Sequence, residues 1–296
     1  MQKYSRTSRL IALTALILVG ITSTVFAYKV ADVKAETLRE ASITKQTRSI
    51  TGVARSESKN RYLASKLDSI NELKLPSGTT HRKDSKPSTE EEVQCKSIVY
   101  QTLLKLPTEH VSQLKSLTLF YTTDGRRGLG GGSSIILRCK NVSDAEVAGV
   151  LVHEIGHITD ENFLQGSKGL ATKYLDFGRA VLSDDPSSYF YAISWASDKE
   201  KLSDATEADF VSGYAMSDPF EEFAESYAYY ILHGEEFRAL SANNFALKQK
   251  YQILKKYVFD GKEFANYMPN NRTLNKEERE YDVTVMPYEF RAFIAN

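Results

Sequence analysis

The sequence predicts an α+β domain: a small twisted sheet, a helix carrying a histidine pair, and a second helix rich in acids. Three observations predict it. Leu117–Tyr121 and Ser133–Arg138 are short apolar runs of strand character. His153-Glu154-Ile155-Gly156-His157 is an H-E-x-x-H motif inside an amphipathic pattern. Beyond it, Pro219 to Gly234 repeats an apolar stripe at helical spacing and holds Glu221, Glu222 and Glu225. The chain has 296 residues and zero formal net charge, with 42% hydrophobic residues. That allows one good-sized core plus accessory segments, and it argues against a nucleic-acid surface.

Residues 1–27 stand apart from that core. Lys3, Arg6 and Arg9 precede a nearly unbroken apolar run from Leu10 to Ile21, and Val25-Phe26-Ala27 suits cleavage after Ala27. A signal peptide is the favoured expectation. An uncleaved membrane anchor is the alternative, because the run can be stretched towards the roughly 18 residues that mark a spanning helix. Either way the bulk of the chain is expected outside the cell, secreted or tethered to the membrane by its N-terminal segment.

Residues 28–91 are polar and poor in aromatics, and read as a linker or pro-region. Leu63, Leu67, Ile70 and Leu73 suit one amphipathic helix there. His81 is the segment's one histidine and it has no cysteine, so nothing supports a metal-blocking pro-peptide.

The catalytic domain is expected over residues 92–260, with 261–296 as a C-terminal extension. Val93 to Leu106 has helical periodicity and stops at Pro107. Between the two strands, Gly125 to Gly132 is glycine-dense, but no Gly-Lys-Ser/Thr follows, so it is no phosphate loop. Its glycines suit a flexible connection, or an edge that another backbone can approach. Cys95 and Cys139 are the only cysteines. In an exported protein they invite one disulfide, with two buried thiols as the alternative.

Ser143-Asp144-Ala145-Glu146 reads as a capping box. The following stripe of Val147, Ala148, Leu151, Ile155 and Ile158 leaves His153 and His157 on the opposite side. Four residues apart on a helix, the two rings point the same way and can close on one Zn²⁺, with Glu154 placed to work on water. Gly166 to Gly178 reads as a loop. The aromatic run around Tyr189, Phe190, Tyr191 and Trp195 reads as a small core.

A third ligand is expected on the second helix, which Ser217 or Asp218 caps, Pro219 opens and Gly234 ends. With Phe220 at zero, Glu221 falls at about 100°, Glu225 at about 140° and Glu222 at about 200°, against a stripe centred near roughly 20°. Glu221 borders the buried face and is the chosen ligand. Glu225, one turn on, is suited to accept an imidazole N–H. Glu222 is expected to face water. Asp160, Asp209 and Asp218 are competitors, Asp160 with an awkward reach from the same helix. His110 and His233 are single and are expected to be structural or on the surface. After Gly234, Leu240 to Phe259 suggests a helix, and Tyr281 to Phe293 suggests a strand plus a helix. No function is readable there.

H-E-x-x-H followed at a distance by Glu221-Glu222-Phe223-Ala224-Glu225 resembles the gluzincin type of zincin metallopeptidase. More narrowly it is similar to the catalytic domain of anthrax lethal factor and the Pro-Pro endopeptidases. The run from about Leu117 to Gly234 also looks like bacterial zinc-binding metallopeptidases. The resemblance implies a zincin-like fold. It implies that Tyr214, seven residues before Glu221, stabilises the oxyanion. It also implies that Leu129 to Leu137 forms the cleft edge on which a peptide pairs, which fits the glycines there.

These expectations combine into an exported zinc endopeptidase. His153, His157 and Glu221 hold Zn²⁺, Glu154 serves as general base, and Glu225 orients a ligand. The expected partner is a peptide or protein substrate, with no nucleic acid, and the chain is expected to act as a monomer. The alternative is a non-catalytic zinc module that binds peptide or a cell-wall partner. A tethered scaffold with a degenerate site is a third reading. Glu154 argues against the binding module, which has no need of a base.

Overall fold

The computed structural model describes residues 89–122, 125–265, 267–268 and 281–296. The signal peptide or anchor at 1–27 and most of the polar segment, including the amphipathic pattern at Leu63–Leu73, lie outside the described residues.

The first helix, α1 (Thr89–Lys105), opens with Glu90, Glu91 and Glu92 and closes with Lys105, charges that oppose the helix dipole at both ends. It stops before Pro107, and one turn, α2 (Thr108–Val111), leads to β1 (Ser116–Phe120). The chain then forms β2 (Gly128–Gly131) and turns back through β3 (Ser134–Arg138). In the sheet the order is β1-β3-β2: β3 lies parallel to β1 and antiparallel to β2. β1 and β2 are therefore the two edge strands, and β2 is the one that lies over Glu154. The expectation of a cleft edge running from Leu129 to Leu137 is corrected, because β3 is the middle strand with both its sides paired. Cys95 of α1 and Cys139, just past β3, form a disulfide, with Cα atoms 5.9 Å apart.

α3 (Asp144–Asn162) starts at Ser143, whose side chain accepts from the Glu146 N–H. Only this half of the expected capping box forms; the Glu146 carboxylate pairs instead with Arg127 at 3.4 Å. Val147, Leu151, Ile155 and Ile158 are buried in the core. The sheet packs on one side of α3, and α5 (Pro219–Leu232) packs along another. The two helices come very close at Gly156: a Cβ there would stand 3.0 Å from Ala224 Cα and 3.2 Å from Tyr227 Cβ. The fourth motif residue is thus a contact point that lets α3 and α5 approach.

The stretch expected to be a loop contains a hairpin, β4 (Ala171–Asp176) and β5 (Arg179–Leu182). Its two-residue turn is Phe177-Gly178, which lacks the Asn-Gly or Asp-Gly signature that marks such turns in sequence. α4 (Pro186–Tyr191) follows, and Phe190, Tyr191 and Trp195 are buried as expected.

α5 begins at Asp218, whose side chain accepts from the N–H groups of Phe220 and Glu221. It runs to Leu232, and α6 (Gly234–Asn243) continues after a break at His233. Gly234 is required by close approach: a Cβ would lie 2.4 Å from the Phe264 carbonyl. α7 (Phe245–Ile253) passes into a wider π-type turn at Leu254–Val258. Tyr281 to Phe293 contains no strand, unlike the expectation. It forms a 3₁₀ turn at Val283–Val285 and the helix α8 (Phe290–Ala295). Single hydrogen bonds to other elements hold that segment in place of a ladder.

His110 and His233 are both fully buried. His110 bridges Tyr227 Oη at 2.8 Å and the Val258 carbonyl at 2.9 Å. Among the described residues, no helix is long and apolar enough to cross a membrane.

Candidate metal centre

The helical spacing of His153 and His157 does what it predicts: their Nε2 atoms are 3.2 Å apart. Glu221, on the first turn of α5, brings Oε2 to 3.2 Å from His153 Nε2 and 3.3 Å from His157 Nε2. Among the described residues these three form the group able to hold a metal ion. The donors fit zinc in kind, two imidazole nitrogens and a carboxylate oxygen. Glu221 Oε2 is buried and faces both Nε2 atoms, and a cation at the centre would serve all three donors.

The electrostatics agree. Burial disfavours a charged His153, yet hydrogen bonds to Glu221 and Glu225 raise its pKa well above the usual histidine range. Burial likewise opposes ionisation of Glu221, and the two imidazoles reverse this and hold its pKa well below the carboxylate range. Each group favours positive charge at the shared point.

Glu225 lies behind His153. It is fully buried, and its Oε1 is 2.9 Å from His153 Nδ1. A proton on Nδ1 leaves the Nε2 lone pair free for a metal. The other oxygen, Oε2, accepts from the Ser212 hydroxyl and, at 2.9 Å, from the Val283 N–H. The carboxylate therefore cannot turn away from the ring.

Glu154 is buried under the edge strand. A Cβ on Gly128 would lie 2.3 Å from its Oε1, and one on Gly130 would lie 2.7 Å from its Oε2. Any larger residue facing down from β2 would displace this carboxylate, so the alternating glycines make room for it. Burial pushes its carboxyl pKa upward, against the pull of His153 and His157. Tyr214 stands on the other wall, half exposed, and its hydroxyl donates to Glu221 Oε1 at 3.1 Å.

One placement differs from expectation. Glu222 does not face water: it is fully buried, pairs with the buried Lys250, and accepts from Trp195 Nε1 at 2.7 Å. Helical angles gave its direction correctly but could not show that α7 and Trp195 cover that side. Asp160, whose reach is expected to be awkward, is not in the donor group: it is buried and accepts from the Tyr191 hydroxyl. Asp209 and Asp218 are likewise occupied, Asp209 at Thr206 and Asn244 and Asp218 as the α5 cap.

Sequence reasoning missed the strap formed by 281–284. Besides the Val283 bond, the Tyr281 carbonyl accepts from Tyr214 N at 2.8 Å. Arg127 binds Asp282 at 2.5 Å and Thr284 Oγ1 at 2.6 Å. Gly149 lets the strap lie against α3, since a Cβ there would be 3.0 Å from the Thr284 carbonyl. No periodic pattern announces such a segment. The spacing Gly128-x-Gly130 did carry a usable signal, because period two leaves one strand face bare.

The cleft between β2, α3 and α5 has a volume of about 880 Å³. No curated protein and no solved structure matches the chain. Residues 145–285 match a family model described as "Putative zinc-binding metallo-peptidase", and that span contains His153, Glu154, His157, Tyr214, Glu221, Glu225 and the strap.

Proposed function

We propose that this chain is an exported zinc endopeptidase whose cleft binds a peptide along β2. The observation that carries the reading is the meeting of three ligand atoms beside a buried glutamate that is not one of them. His153, His157 and Glu221 would hold the ion. Zinc there supplies Lewis acidity towards a peptide carbonyl and towards water. Glu154 accepts a proton from the attacking water and passes it to the leaving amine; its raised pKa suits both halves of that transfer. Tyr214 keeps its proton, because burial and the nearby Glu221 push its pKa upward, and it can donate to a developing oxyanion. Glu225 fixes the His153 tautomer through Oε1, while Ser212 and Val283 hold its Oε2 in place. The free edge of β2 offers backbone groups to an added peptide strand. The Cys95–Cys139 disulfide supports an oxidising, extracytoplasmic location.

The deciding experiment is Glu154→Gln. Glutamine keeps the shape but cannot take the proton. Zinc content should equal wild type, and peptide cleavage should fall by about 10²–10⁴-fold. Full cleavage by the variant would remove Glu154 from the mechanism. A zinc-loaded wild type that binds peptides but hydrolyses none across a diverse library would make the chain a binding module.

A further inference from the structure

Phe177 sits where a phenylalanine is hard to explain by folding. The β4–β5 turn has φ of 44° at Phe177 and 81° at Gly178, both left-handed, as a two-residue type I′ turn demands. Asparagine or glycine suits the first position, whereas a bulky side chain is strained there. Nor is Phe177 buried: it is 91% exposed. Its ring instead lines the cleft.

Ring and charge converge at one spot. A Cβ on Gly131 would stand 3.7 Å from Glu161 Oε1 and 4.0 Å from Phe177 Cε2, so the glycine leaves open a place that both reach. The second oxygen of Glu161 is held by the Gly132 N–H at 2.5 Å, which leaves Oε1 to the cleft. Asp176, next to Phe177, lines the same end. Asp160 lines it too, and also a side cavity of about 290 Å³. Asp160 is only 6% exposed, and its Oδ1 has no hydrogen bond. Arg179 and His157 are the cations that act on Glu161 and Asp176.

An apolar stem with a cationic head matches this surface: the stem lies on the ring, and the head reaches the carboxylates. Direction follows from the edge strand. β2 runs from Gly128, above Glu154, to Gly131, beside Phe177. A peptide added antiparallel, the more stable pairing, places its N-terminal portion at Phe177. We propose that this end of the cleft is a subsite for a lysine or arginine side chain on the N-terminal side of the cleaved bond, with Phe177 as its wall, Glu161 and Asp176 as its charged acceptors, and the buried Asp160 beside them. The proposal rests on the peptidase reading of the same site.

The test separates the two. The zinc-loaded full chain carrying Glu154→Gln is titrated with fluorescent capped peptides that differ at one position: lysine, norleucine, glutamine or glutamate. Lysine should bind about tenfold more tightly than glutamine, and glutamate most weakly. The double change Glu161→Gln and Asp176→Asn should remove the lysine advantage over norleucine. Phe177→Asn should weaken both lysine and norleucine peptides while the melting temperature holds or rises, since asparagine relieves the turn; a purely structural Phe177 would lower it. Equal binding of lysine and glutamine peptides, or a lysine preference untouched by the double change, would overturn the subsite. Wild-type cleavage is measured in parallel. Cleavage without lysine preference sinks the subsite alone, and lysine preference without cleavage sinks the peptidase alone.

Discussion

Asp160 shows how one buried group acquires a pH signature. Burial pushes its carboxyl up to about 8, with Ser187 and Tyr191 pulling the other way, whereas an unfolded aspartate titrates near about 3.9. Between those values the native protein holds a proton that the unfolded chain has released. The corresponding stability is fully present below about 4 and is lost as pH climbs towards and through about 8. Asparagine carries no such proton, yet it can still accept from Tyr191. Asp160→Asn should therefore gain stability over wild type steadily from about pH 4 to about pH 8. Denaturant melts of metal-stripped protein across that range check it, and a constant difference would show that Asp160 does not titrate there.

At the scale of elements, the first turn of α5 has opposite demands on neighbouring residues. Glu221 must reach the histidines, while Glu222 enters the core and meets Lys250 of α7 and the Trp195 indole. Burial pushes the Glu222 carboxyl pKa up, and Lys250 opposes that. This buried pair ties α7 to the base of the ligand helix. Lys250 also donates to the Asp209 carbonyl at 2.5 Å, so the pair anchors the loop that leads towards Tyr214. Glu222→Gln leaves a buried ammonium without its counter-charge and should cost about 3–5 kcal/mol of unfolding free energy. A urea titration measures this. A loss below about 0.5 kcal/mol would mean the side behaves as solvent-facing surface.

On the scale of the whole molecule, the site is assembled from segments far apart in the chain. Helix α3 supplies the histidines, α5 the carboxylates, β2 the roof over Glu154, and 281–284 the clamp behind Glu225. The clamp depends on Arg127, which holds both Asp282 and Thr284. Asp282 acts on that guanidinium against the cost of burying it, and the net effect is to raise its pKa. Arg127→Ala should release the strap, loosen Glu225 and lower zinc affinity by about 10–100-fold, the cost of losing a group that orients a ligand. Competition with a chromophoric chelator reads this directly. Wild-type affinity in the variant would show that the strap is not needed to position His153.

The sequence by itself determined the parts whose cause is local. The i, i+4 rule brings His153 and His157 together, Asp218 and Pro219 begin the second helix, and the angle of Glu221 on that helix selects it over Glu222. Each follows from helix geometry within a few turns. Only the tertiary structure decided what lies on the far side of a residue: Lys250 and Trp195 against Glu222, the strap on Glu225, and the Phe177 ring beside Gly131. These contacts join positions distant in sequence, through single hydrogen bonds and close packing rather than a repeating pattern. Periodicity tells which way a side chain points; what it meets there depends on how the elements pack.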